Sequence, residues 1–273
     1  DYIFICFLLG NDFLPHFPSL NIRTNGIQYI LNAYKNTVGN TNNFLTDGEN
    51  INWKYFKLFI EYLSKNELMY IKKEYKIRDK KEKRHFIHNK DDDVVYKKYL
   101  TTPIYNRTRE KYINPFEKFW ENRYYTTLFD IEPSQKNIKK ICINYLEGLE
   151  WNIKYYTVGC CDWHWKYNYH YPPLLTDLVK YIPNFYCEMI SKNNNKPIRE
   201  YEQLVYVLPK ESIHLLPKKI YNLVHLHLMH NYDDNSQYIW DFCSYIWESH
   251  IKLPHISIHD IQNALSNYGI FIF

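Results

Sequence analysis

The chain has 273 residues, enough for one or two domains around a sizeable core. Its net charge of +4 permits a nucleic-acid partner without demanding one, so any basic footprint has to be local. No apolar run approaches the roughly 20 residues a bilayer crossing needs, no signal peptide is visible, and the six cysteines show no CxxC spacing, which argues against a membrane span, a disulfide framework and a cysteine zinc site. Adjacent Cys160 and Cys161 do not bridge each other readily. A reducing intracellular setting follows, with the cytoplasm ahead of the nucleus. The 28 Tyr, 15 Phe and 7 Trp stand beside abundant Asn, Lys and Ile, so coding bias accounts for part of the aromatic content.

The run Ile3-Phe4-Ile5-Cys6-Phe7-Leu8-Leu9 is built to be buried, and its lack of a polar face leaves helix and strand unseparated. It ends in Gly10-Asn11-Asp12, and Pro15 and Pro18 then stop regular structure. A buried element with a carboxylate at its tip holds a metal ligand rigidly. The plain alternative is a turn capped by Asn11 and Asp12. The chain opens with Asp1 directly on this element, so a preceding segment is expected.

Thr24 or Asn25 caps a predicted helix with Ile27, Ile30, Leu31 and Tyr34 on one face. Asn52 opens a second, with a stripe of Trp53, Phe56, Phe59, Ile60 and Leu63. From Lys72 to Lys90 the chain is strongly charged, through Lys76, Arg78, Lys80, Lys81, Lys83 and Arg84. It reads as a solvated helix end or linker, or as a basic arm that gathers phosphates. Asp91-Asp92-Asp93 close the run, and consecutive carboxylates in such a tract do not make a preorganised metal site.

Phe116 to Phe129 is aromatic and basic. Pro133-Ser134 starts a long helix to about Val158, with Gly159 as its stop. Gly148 inside that helix costs about 1 kcal/mol relative to Ala, which close packing of another element explains. In the following stretch Trp163 and Trp165 share a face if the backbone is extended, and such rings either stack bases or wall a core. His170 is either a phosphate contact or a buried, hydrogen-bonded histidine. Asp177 caps or packs near a helix that runs to about Ile182, and residues 192 to 196 form a polar loop. The i, i+2 spacing of His225 and His227 splits them across a helix, which argues against a metal cluster with His230.

Gly10-Asn11-Asp12-Phe13-Leu14-Pro15-His16-Phe17-Pro18-Ser19-Leu20, with Ile22-Arg23 after it, resembles the Xrn-type 5′→3′ exoribonucleases. So do Tyr145-Leu146-Glu147-Gly148-Leu149-Glu150-Trp151, the stretch from Trp163 to Pro173, and Leu204 to Pro217. The match departs from the family at Cys161-Asp162, Asn168 and Pro172. The resemblance implies an α-rich α/β fold: the C-terminal helical end of a flap-endonuclease-like (PIN-like) nuclease domain over 1–70, a charged linker over 71–115, and a mainly helical second conserved region over 116–273 packed on the first.

It further implies that Asp12 is a catalytic carboxylate that binds Mg²⁺ or Mn²⁺, and that Asn11, His16, Trp163, Trp165 and His170 lie toward RNA. Two ions roughly 3.5–4 Å apart need several converging carboxylates, and Asp12 is one. The other ligands and the pocket for the 5′ monophosphate are expected N-terminal to this chain, in cis or in trans. The expected partner is RNA bearing a 5′ monophosphate, and the isolated chain is expected to be inactive. The rival readings are an RNA-binding or interaction module without chemistry, and a flap-type DNA nuclease.

Overall fold

The apolar run at the start of the chain folds as helix α1 (Tyr2–Cys6), continued by a 3-10 turn over Phe7–Leu9. Phe4, Ile5, Phe7, Leu8 and Leu9 are buried as the apolar run implies, but Ile3, expected inside, is 61% exposed at the start of the helix. Gly10 ends it at φ 91, a backbone conformation that favours glycine. The computed structural model describes residues 1–83, 92–193, 195–232, 237–252 and 256–267. Arg84, Lys90, Asp91, Leu253, Pro254 and the side chains of Asp92 and Asp93 lie outside the described residues.

Helix α2 spans Gly26–Thr37 and helix α3 spans Trp53–Glu82. At 30 residues, α3 is about 45 Å long. Its first half buries the expected stripe from Trp53 to Leu63. The same face then continues through Glu67, Tyr70, Ile71, Glu74, Tyr75 and Arg78. Position 70, expected as a domain end, therefore lies inside an unbroken helix. Short helices α4 (Asp92–Leu100), α5 (Thr102–Tyr105) and α6 (Thr108–Ile113) follow, then α7 (Trp120–Phe129).

Helix α8 spans Gln135–Thr157, capped by Ser134, whose hydroxyl accepts from the Asn137 N–H at 3.3 Å. Gly159, at φ 112, follows its last turn. Helix α9 spans Leu175–Tyr181. Residues 1–195 and 241–248 form one compact unit, whose main core joins α1, α2, α3, α8 and α9.

Residues 196–240 and 249–273 form the second unit. It holds α10 (Glu200–Val207), α11 (Lys218–His227) and α12 (Ile258–Asn267). Val205, Ile220, Val224, Ile261 and Leu265 make its core. Strands β1 (Gln237–Ile239) and β2 (His250–Lys252) pair antiparallel, with Tyr238 opposite Ile251. Among the described residues the chain is helix-rich with this one small sheet, and no helix is long and apolar enough to cross a membrane.

Glu67 caps α9 from α3. Its carboxylate accepts the Leu175 N–H at 2.7 Å and the Thr176 N–H at 3.0 Å. Burial pushes this carboxyl up to about 7, while the two backbone donors hold it down. A carboxyl with its folded value above the unfolded 4.5 favours folding fully below that value, and the benefit is lost as pH rises through about 7. Stability is therefore expected to fall by up to about 3 kcal/mol across that window from this group. Urea unfolding of wild type and Glu67→Gln checks this, because the variant lacks the titration. An identical pH slope in both proteins counts against it.

Candidate functional site at the Asp12 turn

The Gly10–His16 turn is clamped onto α8. The Asn11 side-chain oxygen accepts from the Phe13 N–H at 3.0 Å and the Leu14 N–H at 2.9 Å. Its amide nitrogen donates to Asn152 Oδ1 at 2.7 Å, and Asn152 donates to the Gly148 carbonyl at 2.8 Å. Asn152 is completely buried and Asn11 is partly so, which shelters this pairing of two amides in part from water. Tyr145 Oη donates to the Pro15 carbonyl at 3.2 Å.

Gly148 meets the same turn. A Cβ there would lie 2.7 Å from Leu14 Cδ2 and 2.7 Å from Trp165 Cη2. The helix-interior glycine is explained by that double approach. It draws the Asn11-Asp12 turn and the Trp165 stretch onto one spot of α8.

Asp12 sits at the apex of this turn with its side chain exposed. Among the described residues nothing hydrogen-bonds or ion-pairs with its carboxylate. The two halves of the turn thus divide the two readings between them. Asn11 does the capping, and Asp12 does not. Among the described residues no group of three or more His, Cys, Asp or Glu is placed to hold a metal ion, so Asp12 does not complete a two-ion site from within them.

His16 lies beneath the turn, with its Cβ 3.0 Å from the position a Gly10 Cβ would take. Burial lowers the His16 imidazole below its ordinary range; Glu248 opposes this, and Arg78 and Arg23 add to it. A neutral ring there offers a hydrogen bond or a flat face, not a phosphate-binding cation.

The two tryptophans part company. Asp162 Oδ1 accepts from the His164 N–H at 2.8 Å, and the Trp163 N–H donates to Asn195 Oδ1 at 2.9 Å. These bonds hold a turn at 163–164, and the extended run begins only at Trp165. From there Trp165, Tyr167, Tyr169 and Tyr171 point inward and Lys166, Asn168 and His170 outward. Trp163 does not share that face and is 49% exposed.

Trp165 is partly buried, stacked on Trp151 with centroids 5.3 Å apart at 24°. Trp151 in turn stacks on Tyr155 at 4.9 Å and 9°, and Phe13 meets Trp151 edge-on at 4.8 Å. The indole nitrogen of Trp165 is buried without a hydrogen-bond partner among the described residues, a cost its ring packing offsets. Trp165 is therefore a packing residue, whereas the half-exposed Trp163 ring makes no ring contact among the described residues. His170 is exposed on the outer face. Asp177, in the first turn of α9, accepts from Tyr125 Oη at 2.7 Å and pairs with Lys180.

The functional reading of the sequence left out Asn152, Trp151 and Tyr155. Trp151 and Tyr155 are four residues apart on α8, the spacing of ring pairs on one helix face. Asn152 carried one signal: a polar residue inside the apolar phase of a long helix.

A family model described as the Xrn1 helical domain matches residues 1–113 and 105–268. A 5'-3' exoribonuclease 2 homolog of Drosophila melanogaster is 28% identical over 98% of this chain and 34% of its own length. The 5'-3' exoribonuclease 2 of Gallus gallus is 25% identical over 97% of this chain and 35% of its own. That of Saccharomyces cerevisiae is 38% identical over 40% of the chain and 11% of its own. The chain spans about a third of the length of the first two relatives. With its clamped Gly-Asn-Asp turn seated on α8 and a family match running through both units, the chain belongs to the Xrn1 helical domain family of the Xrn-type exoribonucleases.

Proposed function

We propose that this chain is the Asp12-bearing part of an enzyme that degrades 5′-monophosphorylated RNA from its 5′ end. The observation that carries the proposal is the exposed carboxylate of Asp12, without a partner among the described residues, on a turn fixed by Asn11, Asn152 and Gly148. Rigid presentation of one carboxylate is what a shared metal site asks of each contributor. Mg²⁺ or Mn²⁺, when bound, would neutralise charge on the scissile phosphate and activate water. The remaining carboxylates belong to a preceding nuclease segment in cis or in trans, of PIN-like fold. The 1–70 portion completes that domain, and 116–273 braces it from outside.

On this reading Trp163 stacks a base of the entering RNA, at roughly 1–3 kcal/mol. Asn11 and Trp165 act behind it by holding the turn and the stack. His16 and His170 flank the path.

The test uses the 273-residue chain with Mg²⁺ and a 5′-monophosphorylated oligoribonucleotide. No hydrolysis is expected, because one carboxylate does not hold two ions. Binding is expected to weaken about tenfold in Trp163→Ala, by the stacking energy above, while Trp165→Ala lowers the unfolding midpoint instead. Metal-dependent degradation by the chain alone would overturn its proposed dependence on outside ligands. A preference for flap DNA over RNA favours the DNA-nuclease reading.

A further inference from the structure

The C-terminal half of α3 divides into two faces. One is buried and runs through Glu67, Tyr70, Glu74 and Arg78. Opposite it stand Lys65, Lys72, Lys73, Lys76, Lys80 and Lys83, which fall within about 100° of arc along about 27 Å of axis. Lys72 is partly buried and the other five are exposed. In a chain whose net charge is only +4, this stripe is a local basic footprint.

The acids of the same half do not offset it. Glu67 accepts N–H groups of α9, and Glu74 accepts the Thr24 hydroxyl. Asp79 pairs with Arg107, and Glu82 pairs with Arg107 and Lys111. Each of these carboxylates is thus turned toward a partner other than the stripe. None of the six lysines has an ion pair among the described residues.

Two of the ammonium groups are also positioned. That of Lys72 lies 5.5 Å from the Phe116 ring centroid, and that of Lys73 lies 5.7 Å from the Tyr29 centroid. Tyr29 is itself stacked on Tyr70 at 3.7 Å and 7°. A ring face steadies a cation without neutralising it. The helix spaces the other lysine stems along a rigid rod.

Uncompensated cations in line select a polyanion. A helix that binds membranes lays an apolar face into the lipid, and the apolar face of α3 is buried in the core. Lys is depleted at the centres of protein interfaces, which argues against an acidic protein. A nucleic-acid backbone asks only for a line of point charges, and each lysine that meets a phosphate releases counterions. The choice of RNA among nucleic acids rests on the activity proposed above; the stripe itself does not.

We propose that the lysine stripe of α3 is a second RNA contact, made by residues outside the Asp12 turn and the Trp163 stretch, which holds the phosphate backbone of a strand without regard to its sequence. The 273-residue chain is titrated with a fluorescent 5′-hydroxyl oligouridylate in EDTA, from about 50 to about 200 mM salt. Lys73→Gln/Lys76→Gln/Lys80→Gln removes three charges from exposed positions and keeps a good helix former at each, so it retains the wild-type melting temperature. Lys73→Arg/Lys76→Arg/Lys80→Arg is the second variant.

The glutamine variant is expected to lose at least about tenfold in affinity at the lower salt. Its slope of log affinity against log salt should fall by about 2, at roughly 0.7 per phosphate contact. The arginine variant should bind as wild type does. The proposal is overturned if wild type does not bind the oligouridylate, if the glutamine variant keeps wild-type affinity and slope, or if the arginine variant is as weak as the glutamine one. It is overturned equally if phosphatidylserine vesicles or polyglutamate bind wild type more tightly than the RNA does. Binding in EDTA is independent of hydrolysis, so an inactive native polypeptide would remove the proposed activity and leave this result standing. Trp163→Ala should weaken binding with the slope unchanged, which separates the stacking role from the stripe.

Discussion

Replacing Asp12 by Asn is expected to abolish hydrolysis of 5′-monophosphorylated RNA by the native polypeptide that carries this sequence. The loss should reach about a thousandfold or more, because a metal-bound carboxylate supports several kcal/mol of transition-state stabilisation. RNA binding and stability should persist. The Asp12 carboxylate is exposed, and nothing among the described residues relies on it, so the amide takes its place without disturbing the turn. Single-turnover cleavage beside a filter-binding assay separates the two effects. Turnover within tenfold of wild type removes Asp12 from the metal site. Loss of binding in parallel with cleavage makes it a substrate contact instead.

The largest stability effect is expected at Glu110. This carboxylate is 1% exposed and receives two arginines. Arg78 donates through Nε at 2.9 Å and through Nη2 at 2.5 Å, and Arg107 donates through Nε at 2.8 Å. The Phe242 N–H also donates to it at 2.9 Å. Arg78 further donates to the Phe242 and Cys243 carbonyls at 3.2 and 2.8 Å. One buried carboxylate thus fastens α6, α3 and the distant 241–248 segment together. Glu110→Ala leaves the buried Arg78 guanidinium without its carboxylate, while Arg107 keeps Asp79 and Glu82, and should cost about 3 kcal/mol.

The denaturation midpoint reads that cost, and the Cys243 thiol reads its location. Burial pushes this thiol up to about 12, and it is 6% exposed. It should resist alkylation in wild type and react in Glu110→Ala under native conditions. A midpoint within about 1 kcal/mol of wild type would mean that water re-enters and solvates the arginines.

Much of this fold was legible in the pattern of apolar residues. The α2, α3 and α8 starts, the Ser134 cap and the Gly148 approach follow from spacing, the Ser134 hydroxyl and the cost of a helical glycine, whereas the caps expected from Thr24 or Asn25 and from Asn52 do not form: those side chains make no cap bond. The fate of the charged stretch after Lys72 did not follow. The α3 stripe continues in phase from Leu63 through Glu67, Tyr70, Glu74 and Arg78, but three of those positions are charged and masked the period. Their partners, the α9 N–H groups, Thr24 and Glu110, lie far away in sequence. The lysines of that stretch do sit on a solvated helix end, with Lys73, Lys76, Lys80 and Lys83 exposed, and among its described cations tertiary pairing buries Arg78 alone.

The site divides in the same way. Asn11-Asp12 announced a turn, and only the bonds from Phe13 and Leu14 to Asn11, and from Asn11 to Asn152, show that Asn11 holds it while Asp12 has no partner among the described residues. Alternation alone put Trp163 and Trp165 on one face. The Asp162 and Asn195 bonds turn the chain between them, a feature with no periodic signature.

The most direct test follows the native polypeptide on an RNA labelled at its 3′ end and carrying a 5′ monophosphate, beside the same RNA with a 5′ hydroxyl. The account predicts progressive shortening from the 5′ end, release of mononucleotides, a strong preference for the monophosphate, and loss of all three in Asp12→Asn. Internal cuts, equal use of both RNAs, or unchanged activity in the variant would contradict it.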